Sequence, residues 1–156
     1  MARVGVDAGF MIGLYDETDG YHEISLRHFE ELFGEYSARH QLVIPWPILY
    51  ESCGTRQAKS FQSAQKLLNL WSFLRREGQL ILLDDAPFRD KPLEEHLDKV
   101  VRPMSLVDRV LRAVILNQER QFDYFLTYNT GDFADACKLG GIHLLNERSS
   151  ADSYGI

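Results

Sequence analysis

Two aspartates follow short apolar segments of the kind that form buried β-strands. Asp7 comes directly after Val4–Val6, and Asp132 comes shortly after Tyr124–Leu126. Runs this short, bounded by polar or glycine residues, are typical of strands buried in a parallel sheet. Functional side chains in such a sheet collect at the carboxyl ends of the strands. We therefore expect both carboxylates at the same edge of the sheet.

Two further acids stand near the starts of predicted helices. Glu51 lies about one turn into the helix predicted over Pro47–Cys53. Asp108 lies in the first turn of the helix predicted over Ser105–Gln121, three residues after Ser105. Because the amino ends of such helices meet the carboxyl ends of the strands, the four carboxylates are predicted to converge at one edge.

Converging carboxylates repel one another, and each raises the pKa of its neighbours unless a cation neutralises them. Magnesium and manganese prefer oxygen ligands and commonly keep water and substrate phosphate in their coordination shell. Such an ion lowers the pKa of bound water and stabilises the charge of a phosphodiester in its transition state. The acids therefore predict phosphodiester hydrolysis with Mg²⁺ or Mn²⁺ as cofactor.

Each acid also has a purely structural explanation. Ser105 and Asp108 match a capping box, in which the acid supports the start of its helix. Asp132 can cap the helix predicted over Phe133–Lys138, and Glu51 can lie on a solvated helix face. With 23 acids among 156 residues, one acid alone is weak support. Only their joint placement favours a functional site.

The elements that would position these acids alternate along the chain. Apolar segments predict strands at Val4–Val6, Leu42–Ile44, Leu80–Leu83, Tyr124–Leu126 and Ile142–Leu145. Further helices are predicted over Ser25–Ala38, from Phe61 to a cap at Gly78, and over Pro92–Val101. Connections of this length allow parallel crossovers. The predicted fold is a three-layer α/β/α sandwich with a mainly parallel sheet of about five strands.

The length and charge of the chain limit its organisation and its partners. We expect one domain over residues 1–146, followed by a polar tail at 147–156 that frays or docks on a partner. The 17 basic and 23 acidic residues give a formal net charge of −6. No global positive field therefore attracts nucleic acid or a membrane surface, so any nucleic-acid role must depend on a local site.

Other motifs exclude several kinds of site and indicate a compartment. The histidines lack the spacing of zinc hydrolases, and no dinucleotide-binding or Walker-type glycine loop follows a strand. The two cysteines lie outside any C-x-x-C motif, which fits a reducing cytoplasm. The start of the chain does not match a secretory signal, and no segment is apolar enough to span a membrane. We expect a cytoplasmic protein without a membrane partner.

Together these motifs resemble those of the PIN-domain nucleases, a family of small metal-dependent α/β proteins. Asp7 resembles the first aspartate of the family, and Glu51 in Pro-Ile-Leu-Tyr-Glu resembles its helix glutamate. Asp108 in Ser-Leu-Val-Asp resembles the third acid, and Thr-x-Asn-x-x-Asp-Phe at 127–133 resembles the closing motif. The resemblance covers most of the chain and implies a PIN-like fold.

The resemblance also implies roles for individual residues. The catalytic residues and ligands of Mg²⁺ or Mn²⁺ would be Asp7, Glu51, Asp108 and Asp132. The residues beside them that orient ligands or water would be Thr127, Asn129 and Ser105. The implied substrate is RNA, hydrolysed by a metal-activated water. A subsidiary hypothesis is a toxin of a toxin–antitoxin pair, with an antitoxin protein as partner and a homodimer as assembly.

Basic and aromatic residues near the acids are candidates for RNA contacts. Arg109, Arg112 and Arg56 are predicted to bind phosphates, because an acidic site needs nearby cations to hold a polyanion. Each of them can instead lie on a solvated helix face. Trp46 and Tyr128 lie near the predicted edge and could stack on unpaired bases, although aromatic residues in such folds are more often core.

Two positions depart from the family pattern and support a second hypothesis. Gly9 stands where the family often has Asn or Ser, and Asn129 stands where some members have an acid. The alternative is a catalytically degenerate PIN-like fold that serves as an RNA-binding or protein-docking scaffold. A degenerate site should show little stabilisation by Mg²⁺ or Mn²⁺, whereas a working metal site should be stabilised by them.

Overall fold

The computed structural model describes residues 1–37, 39–55, 57–98 and 102–154. Its strands are β1 (Arg3–Val6), β2 (Gln41–Pro45), β3 (Leu80–Leu83), β4 (Tyr124–Leu126) and β5 (His143–Leu145). Its α-helices are α1 (Ala8–Tyr15), α2 (His22–Phe33), α3 (Trp46–Cys53), α4 (Phe61–Arg76), α5 (Asp90–Leu97), α6 (Leu106–Ile115) and α7 (Thr130–Gly140). Short 3₁₀ turns lie at Gln57–Lys59, Ala86–Phe88 and Ala151–Tyr154. Within these ranges, no helix is both long and apolar enough to cross a membrane.

The strands form one parallel sheet in the order β3-β2-β1-β4-β5. The chain runs outwards from β1 through β2 to β3, and then returns to β4 on the other side of β1. The connections that leave β1 and β4 therefore run in opposite directions. A crevice forms at the carboxyl edge of a sheet where this reversal occurs, and it is the usual position of a ligand site in open α/β folds.

The helices form two groups. Helix α1 contacts α2, α3 and α4, whereas α6 contacts α5 and α7. Because parallel crossovers are right-handed, connections that run in opposite directions along the sheet place their helices on opposite faces. The predicted three-layer α/β/α sandwich with a parallel five-stranded sheet is confirmed.

The hydrophobic core lies on both faces of the three inner strands. Val4, Val6, Leu42 and Ile44 of β1 and β2 are completely buried, as is Phe125 of β4. Apolar side chains of the surrounding helices pack against them. Burial on both faces is the reason why these strands are almost continuously apolar in the sequence.

The structure differs from the predicted elements mainly in its helices. Helix α1 was not predicted, because Ala8–Tyr15 is apolar nearly all round and shows no amphipathic period. Helix α2 starts and ends earlier than expected, with Gly34 following its last residue. Helix α6 ends at Ile115, well before the predicted end at Gln121. The last residues of the helix predicted over Pro92–Val101 lie outside the described residues.

The polar tail packs on the domain as far as Tyr154. The Tyr154 side chain is only 1% exposed, and its Oη lies 2.5 Å from Nδ1 of the buried His28. The Arg27 guanidinium donates hydrogen bonds to the carbonyl oxygens of Ser149 and Glu147. The expectation that this segment frays is therefore wrong up to Tyr154, because one buried aromatic ring anchors an otherwise polar stretch. Docking of the tail on a partner stays a prediction.

Substitution of Gly5 in β1 tests how closely the ring of Phe122 packs against this strand. A Cβ atom at Gly5 would lie 2.6 to 2.8 Å from the ring of the buried Phe122. Gly5→Ala should therefore lower the free energy of unfolding by about 1–3 kcal/mol, because strand or ring must move. Urea unfolding measures this. Gly20→Ala is the control, because its added Cβ meets nothing within 4 Å, and it should change stability by less than about 0.5 kcal/mol. Equal effects of the two substitutions would contradict the prediction.

Candidate active site

A cleft of about 470 Å³ opens at the carboxyl edge of the sheet. Its floor is the end of β1 with the first turn of α1, and its walls come from Tyr21 just before α2, from α3 and α6, and from the segment after β4. The polar and aromatic side chains that line it are Asp7, Glu51, Asp108, Asn129, Tyr21 and Tyr128. The cleft thus lies at the crevice where the connections of β1 and β4 diverge.

Asp7 is the most enclosed carboxylate of the cleft, with 8% of its surface exposed. It is the N-cap of α1, and its Oδ1 accepts a hydrogen bond from the backbone N–H of Phe10 at 3.2 Å. Its Oδ2 accepts a hydrogen bond from Oγ1 of Thr127. Burial raises the pKa of Asp7, and the charge of Asp108 raises it further, while the bonds from Thr127 and Phe10 lower it. The net effect is a raised pKa on a fixed side chain.

Thr127 connects the carboxyl ends of the neighbouring strands β1 and β4. Its side chain is completely buried directly after β4, and its hydroxyl donates to Asp7 at the end of β1. The same Oγ1 accepts a hydrogen bond from the backbone N–H of Asn129 at 3.0 Å. Thr127 therefore orients Asp7 and holds the chain after β4.

Ser105 holds Asp108 in the first turn of α6. The Ser105 Oγ accepts a hydrogen bond from the Asp108 backbone N–H at 3.1 Å and donates to Asp108 Oδ2 at 2.8 Å. The serine caps the helix as the capping-box pattern predicts, but the aspartate binds the serine hydroxyl instead of its backbone amide. Burial and the charge of Asp132 raise the pKa of Asp108, and the bond from Ser105 lowers it. Ser105 thus caps α6 and also holds Asp108, whose side chain lines the cleft.

Glu51 lies in α3 on the more open side of the cleft. Desolvation raises the pKa of its carboxyl, and the charges of Asp108 and Asp7 raise it further. The residue as a whole is exposed, so its carboxylate is the one of the three that solvent reaches most easily. The interpretation of Glu51 as a merely solvated helix residue does not account for its position in the cleft.

Asp132 lies beside the cleft, in the first turn of α7. Its Oδ2 accepts a hydrogen bond from Asn129 Nδ2 at 2.6 Å, and its Oδ1 lies 3.3 Å from Nη2 of Arg102. Asn129 stands between this carboxylate and the cleft that it lines itself. The charge of Asp132 still reaches the site, because it contributes to the raised pKa of Asp108.

The donor set is chemically suited to a hard divalent cation. The candidate ligands are carboxylate oxygens, and two of them have pKa values raised partly by the charge of another acid in the cleft. In the parts of the chain that the structure describes, no three acidic, histidine or cysteine side chains lie close enough to enclose an ion by themselves. Magnesium usually retains several waters and binds one or two carboxylates. The arrangement therefore fits a partly hydrated ion.

Gly9 leaves space in the floor of the cleft. A Cβ atom there would lie 3.4 Å from Asp7 Oδ1 and 3.8 Å from Cδ2 of Tyr128, which are ordinary contact distances. A small polar side chain would therefore fit, and glycine leaves the position open.

Two of the three predicted phosphate-binding arginines, Arg109 and Arg112, do not line this cleft. Arg109 and Arg112 line a second cavity of about 660 Å³ between α5 and α6. Arg112 donates two hydrogen bonds to the Asp135 carboxylate, at 2.6 and 2.8 Å, and one to the Asp132 carbonyl. Arg109 donates to the Arg102 carbonyl at 2.7 Å. The third predicted arginine, Arg56, lies outside the described residues.

Two aromatic residues differ from the sequence-based expectation: Tyr21 lines the cleft without having been predicted, and Trp46 was predicted near it but does not line it. Tyr21, which was not predicted, lines the cleft and stacks on Tyr128, whose ring centroid is 4.3 Å away. No periodic signal marks it, because it follows Gly20 in a polar connection and precedes the first residue of α2. Trp46 lies at the start of α3 with its ring 6.1 Å from that of Tyr50, and it does not line the cleft.

Comparison with known proteins gives a fold relationship. No family model matches the sequence, and no curated protein is similar to it. Among solved structures, a similar one is VapC20 of Mycobacterium tuberculosis, a toxin that cleaves the sarcin–ricin loop. The TM-score is 0.62 over 85% of this chain and 94% of that chain, with 14% sequence identity.

This protein has a PIN-like fold. The fold expected from the acid motifs is thereby confirmed. An identity of 14% establishes the fold alone, so the function of the PIN-like cleft depends on its own residues.

The buried charge of Asp7 has a stability cost that a substitution should remove. Because the pKa of Asp7 is raised on folding, the stability it contributes is present below its ordinary pKa of 3.8 and is lost as pH rises through the folded value. Asp7→Asn carries no charge; its oxygen can accept from the Phe10 N–H, and its amide nitrogen can donate to Thr127 Oγ1. We expect it to stabilise the metal-free protein at pH 7 by about 0.5–2 kcal/mol.

Urea unfolding in EDTA from pH 4 to pH 8 measures this effect. The difference between Asp7→Asn and the unsubstituted protein should shrink as the pH approaches 4. A less stable Asp7→Asn variant at pH 7 would show that the carboxylate is a structural anchor and not a strained charge.

The hydroxyl of Thr127 should control the protonation of Asp7. Thr127→Val removes the donor, so we expect the pKa of Asp7 to rise further and the free energy of unfolding to fall by about 1–3 kcal/mol. Titration of the Asp7 carboxyl carbon by NMR measures the pKa directly. Thr127→Ser is the control, because it retains the hydroxyl and should leave the titration nearly unchanged. An identical Asp7 titration in the valine variant would refute the prediction.

Proposed function

We propose that the protein is a metal-dependent ribonuclease that hydrolyses RNA phosphodiester bonds at the acid cleft. The observation that supports this is the presence of Asp7, Glu51 and Asp108 in one cleft at the switch point of the sheet. The PIN-like fold, shared with a toxin that cleaves the sarcin–ricin loop, supports the same proposal. The net charge of −6 does not oppose it, because bound metal reverses the local charge at such a site.

The proposed ligands follow from burial and position. Asp7 and Asp108 are the primary ligands of Mg²⁺ or Mn²⁺, and Glu51 and Asp132 complete the cluster directly or through water. When bound, such an ion lowers the pKa of water and neutralises charge that develops on the phosphodiester.

The side chains themselves provide position and proton transfer. Phe10 N–H and Thr127 hold Asp7 in one orientation, and Ser105 holds Asp108. Glu51 is the most accessible of the carboxylates that line the cleft, so it can take a proton from a water there. We assign it the proton that the attacking water releases as the new bond to phosphorus forms. The bond to the leaving ester oxygen then breaks, and this oxygen takes a proton from solvent water.

Contacts to the rest of the substrate are part of the same proposal. Arg109 and Arg112 would bind phosphates where the RNA strand passes the second cavity, since neither lines the acid cleft. Because Arg112 is already paired with Asp135, the RNA would have to compete for it. Arg56 remains a predicted phosphate contact.

The biological role is a further part of the proposal. The similar structure is a toxin, which supports the hypothesis of a toxin that an antitoxin protein holds inactive. A homodimer and a cytoplasmic location belong to this hypothesis.

A scaffold without catalysis is the second candidate. It is favoured by Gly9, by the neutral Asn129, and by the absence of three closely grouped ligands among the described residues. The two candidates differ in whether divalent cations stabilise the protein.

Cleavage assays with two matched variants test the enzyme. Unsubstituted protein should cut RNA from a mixed set of single strands and hairpins, including a sarcin–ricin hairpin, with Mg²⁺ or Mn²⁺ and not in EDTA. Asp108→Asn should reduce cleavage by at least about a hundredfold, since it removes a proposed metal ligand. Asp152→Asn makes the same change on the exposed C-terminal 3₁₀ turn and should cut normally. Both variants are purified identically to exclude contaminating nuclease.

Thermal melting separates the two candidates when no cleavage is seen. A metal site gains about 1.4 kcal/mol of stability at a free cation concentration ten times Kd, and Asp108→Asn should lose this gain. Equal melting with and without cations, together with equal cleavage by all variants, would refute the enzyme and leave the scaffold.

A further inference from the structure

Two tyrosine rings form a parallel stack in the wall of the acid cleft. Tyr21 precedes α2 and Tyr128 follows β4, and their ring centroids are 4.3 Å apart with an angle of 13° between the planes. Both rings line the same cleft as Asp7, Glu51 and Asp108. An aromatic surface therefore lies next to the proposed point of hydrolysis.

Tyr128 is the fixed member of the pair. Its Oη lies 2.8 Å from Oγ of the buried Ser25, so the two hydroxyls share a hydrogen bond. The ring of the buried His28 lies 6.4 Å away at an angle of 29°. Burial raises the pKa of Tyr128 to about 12, so the phenol stays neutral beside a bound polyanion. Tyr128 thus holds the stack at a defined place and adds no charge.

Tyr21 is the accessible member of the pair. Its side chain is 41% exposed, although Tyr128 covers one face of its ring. The opposite face and the ring edge are the parts that Tyr128 does not cover. Within the described residues, the Tyr21 hydroxyl makes no hydrogen bond, and the side chain does not cap α2. Among the described residues, Tyr128 is the aromatic ring that stacks on Tyr21, and the other face of the Tyr21 ring is available to a ligand of the cleft.

The charge of the cleft makes such a face useful. No lysine or arginine is among the described residues that line it, and Arg109 and Arg112, two of the three arginines expected to bind phosphate, line the second cavity. An RNA strand at the acids therefore needs binding energy that does not come from cations in the cleft. Stacking of an unpaired base on an aromatic ring provides it and tolerates any sequence.

We propose that the outer face of Tyr21 stacks on an unpaired base of the RNA strand whose phosphodiester lies over the acids. This inference depends on the proposed ribonuclease function and narrows its substrate class. A base inside a duplex cannot reach the ring without leaving its pair, so the cleft selects single-stranded or looped RNA. Tyr21 is then a positioning residue that determines which nucleotide lies beside the acids.

Binding measurements test the stack without interference from cleavage. Fluorescence anisotropy with a labelled single-stranded RNA of mixed sequence is measured with Asp108 intact and with Ca²⁺ in place of Mg²⁺, because Ca²⁺ also takes carboxylate oxygens and neutralises the cleft. Gel electrophoresis of the RNA after each measurement checks that it is uncut. Tyr21→Leu should weaken binding about five- to 150-fold, which corresponds to stacking of roughly 1–3 kcal/mol per base. Tyr21→Phe retains the ring and should restore binding to within about twofold of the tyrosine protein.

Two controls separate stacking from general damage. Tyr36→Leu makes the same substitution at a tyrosine that is 98% exposed and lies outside the cleft, and it should bind normally. The same RNA annealed to its complement should bind equally to the tyrosine protein and to Tyr21→Leu. Thermal melting of each variant checks that it is folded.

Abasic RNAs test the contact on the nucleic-acid side. In a series with one base removed at a time, one position should lose affinity with the tyrosine protein to about the extent caused by Tyr21→Leu. The same abasic RNA should lose nothing further in the Tyr21→Leu variant, because the contact is already absent. The abasic series with unsubstituted Tyr21 must itself show the sensitive position. The test therefore stays informative even if Tyr21→Leu disturbs the fold.

The outcomes distinguish this inference from the proposed function. If protein with Asp108 intact cleaves RNA but Tyr21→Leu binds and cleaves like the unsubstituted protein, the stack is refuted and the ribonuclease stands. Equal loss on single-stranded and duplex RNA, or no sensitive abasic position, also refutes the stack. If no RNA is bound or cut by any protein, both proposals fail.

Discussion

The buried carboxylate at the end of the central strand is the constraint on which the site depends. Asp7 ends the strand that is flanked by β2 and β4, so its side chain enters the most enclosed part of the sheet edge. A charge in that position needs hydrogen-bond donors. One comes from the first turn of α1 and the other from Thr127 at the end of β4. The same two bonds therefore hold β1, α1 and β4 together and aim the carboxylate into the cleft.

The acids around this carboxylate fall into two groups, those paired with arginines outside the cleft and those without a described cationic partner inside it. On the side of α6 and α7, Arg112 pairs with Asp135 and Arg102 lies against Asp132, so those acids are largely compensated. In the cleft, Asp7 and Asp108 have no described cationic partner, and their pKa values are raised. Uncompensated acids destabilise a protein unless they serve a ligand, and perturbed pKa values grouped in one cleft are typical of functional sites.

Local patterns predicted much of the fold and most of the acids of the site. The strands were recognisable because inner strands are buried on both faces and leave unbroken apolar runs, and Ser105 was recognisable as a helix cap from its spacing to Asp108. Helix α1 was missed, since a helix enclosed on all sides has no polar face and therefore no period. Tyr21 was missed because a residue in a polar connection has no neighbour in sequence that indicates its contact with Tyr128.

Local sequence patterns are enough to place Asp7, Glu51 and Asp108 where strands end and helices begin, and a parallel sheet with right-handed crossovers brings such positions to one edge. Which side chains share the cleft depends on three-dimensional packing. This packing turned Arg109 towards a second cavity, placed Asp132 beside the cleft with Arg102, and brought Tyr21 into the wall. The reason is that the rotation of each helix about its axis depends on packing against residues distant in the chain, whereas the order of strands and helices is encoded locally.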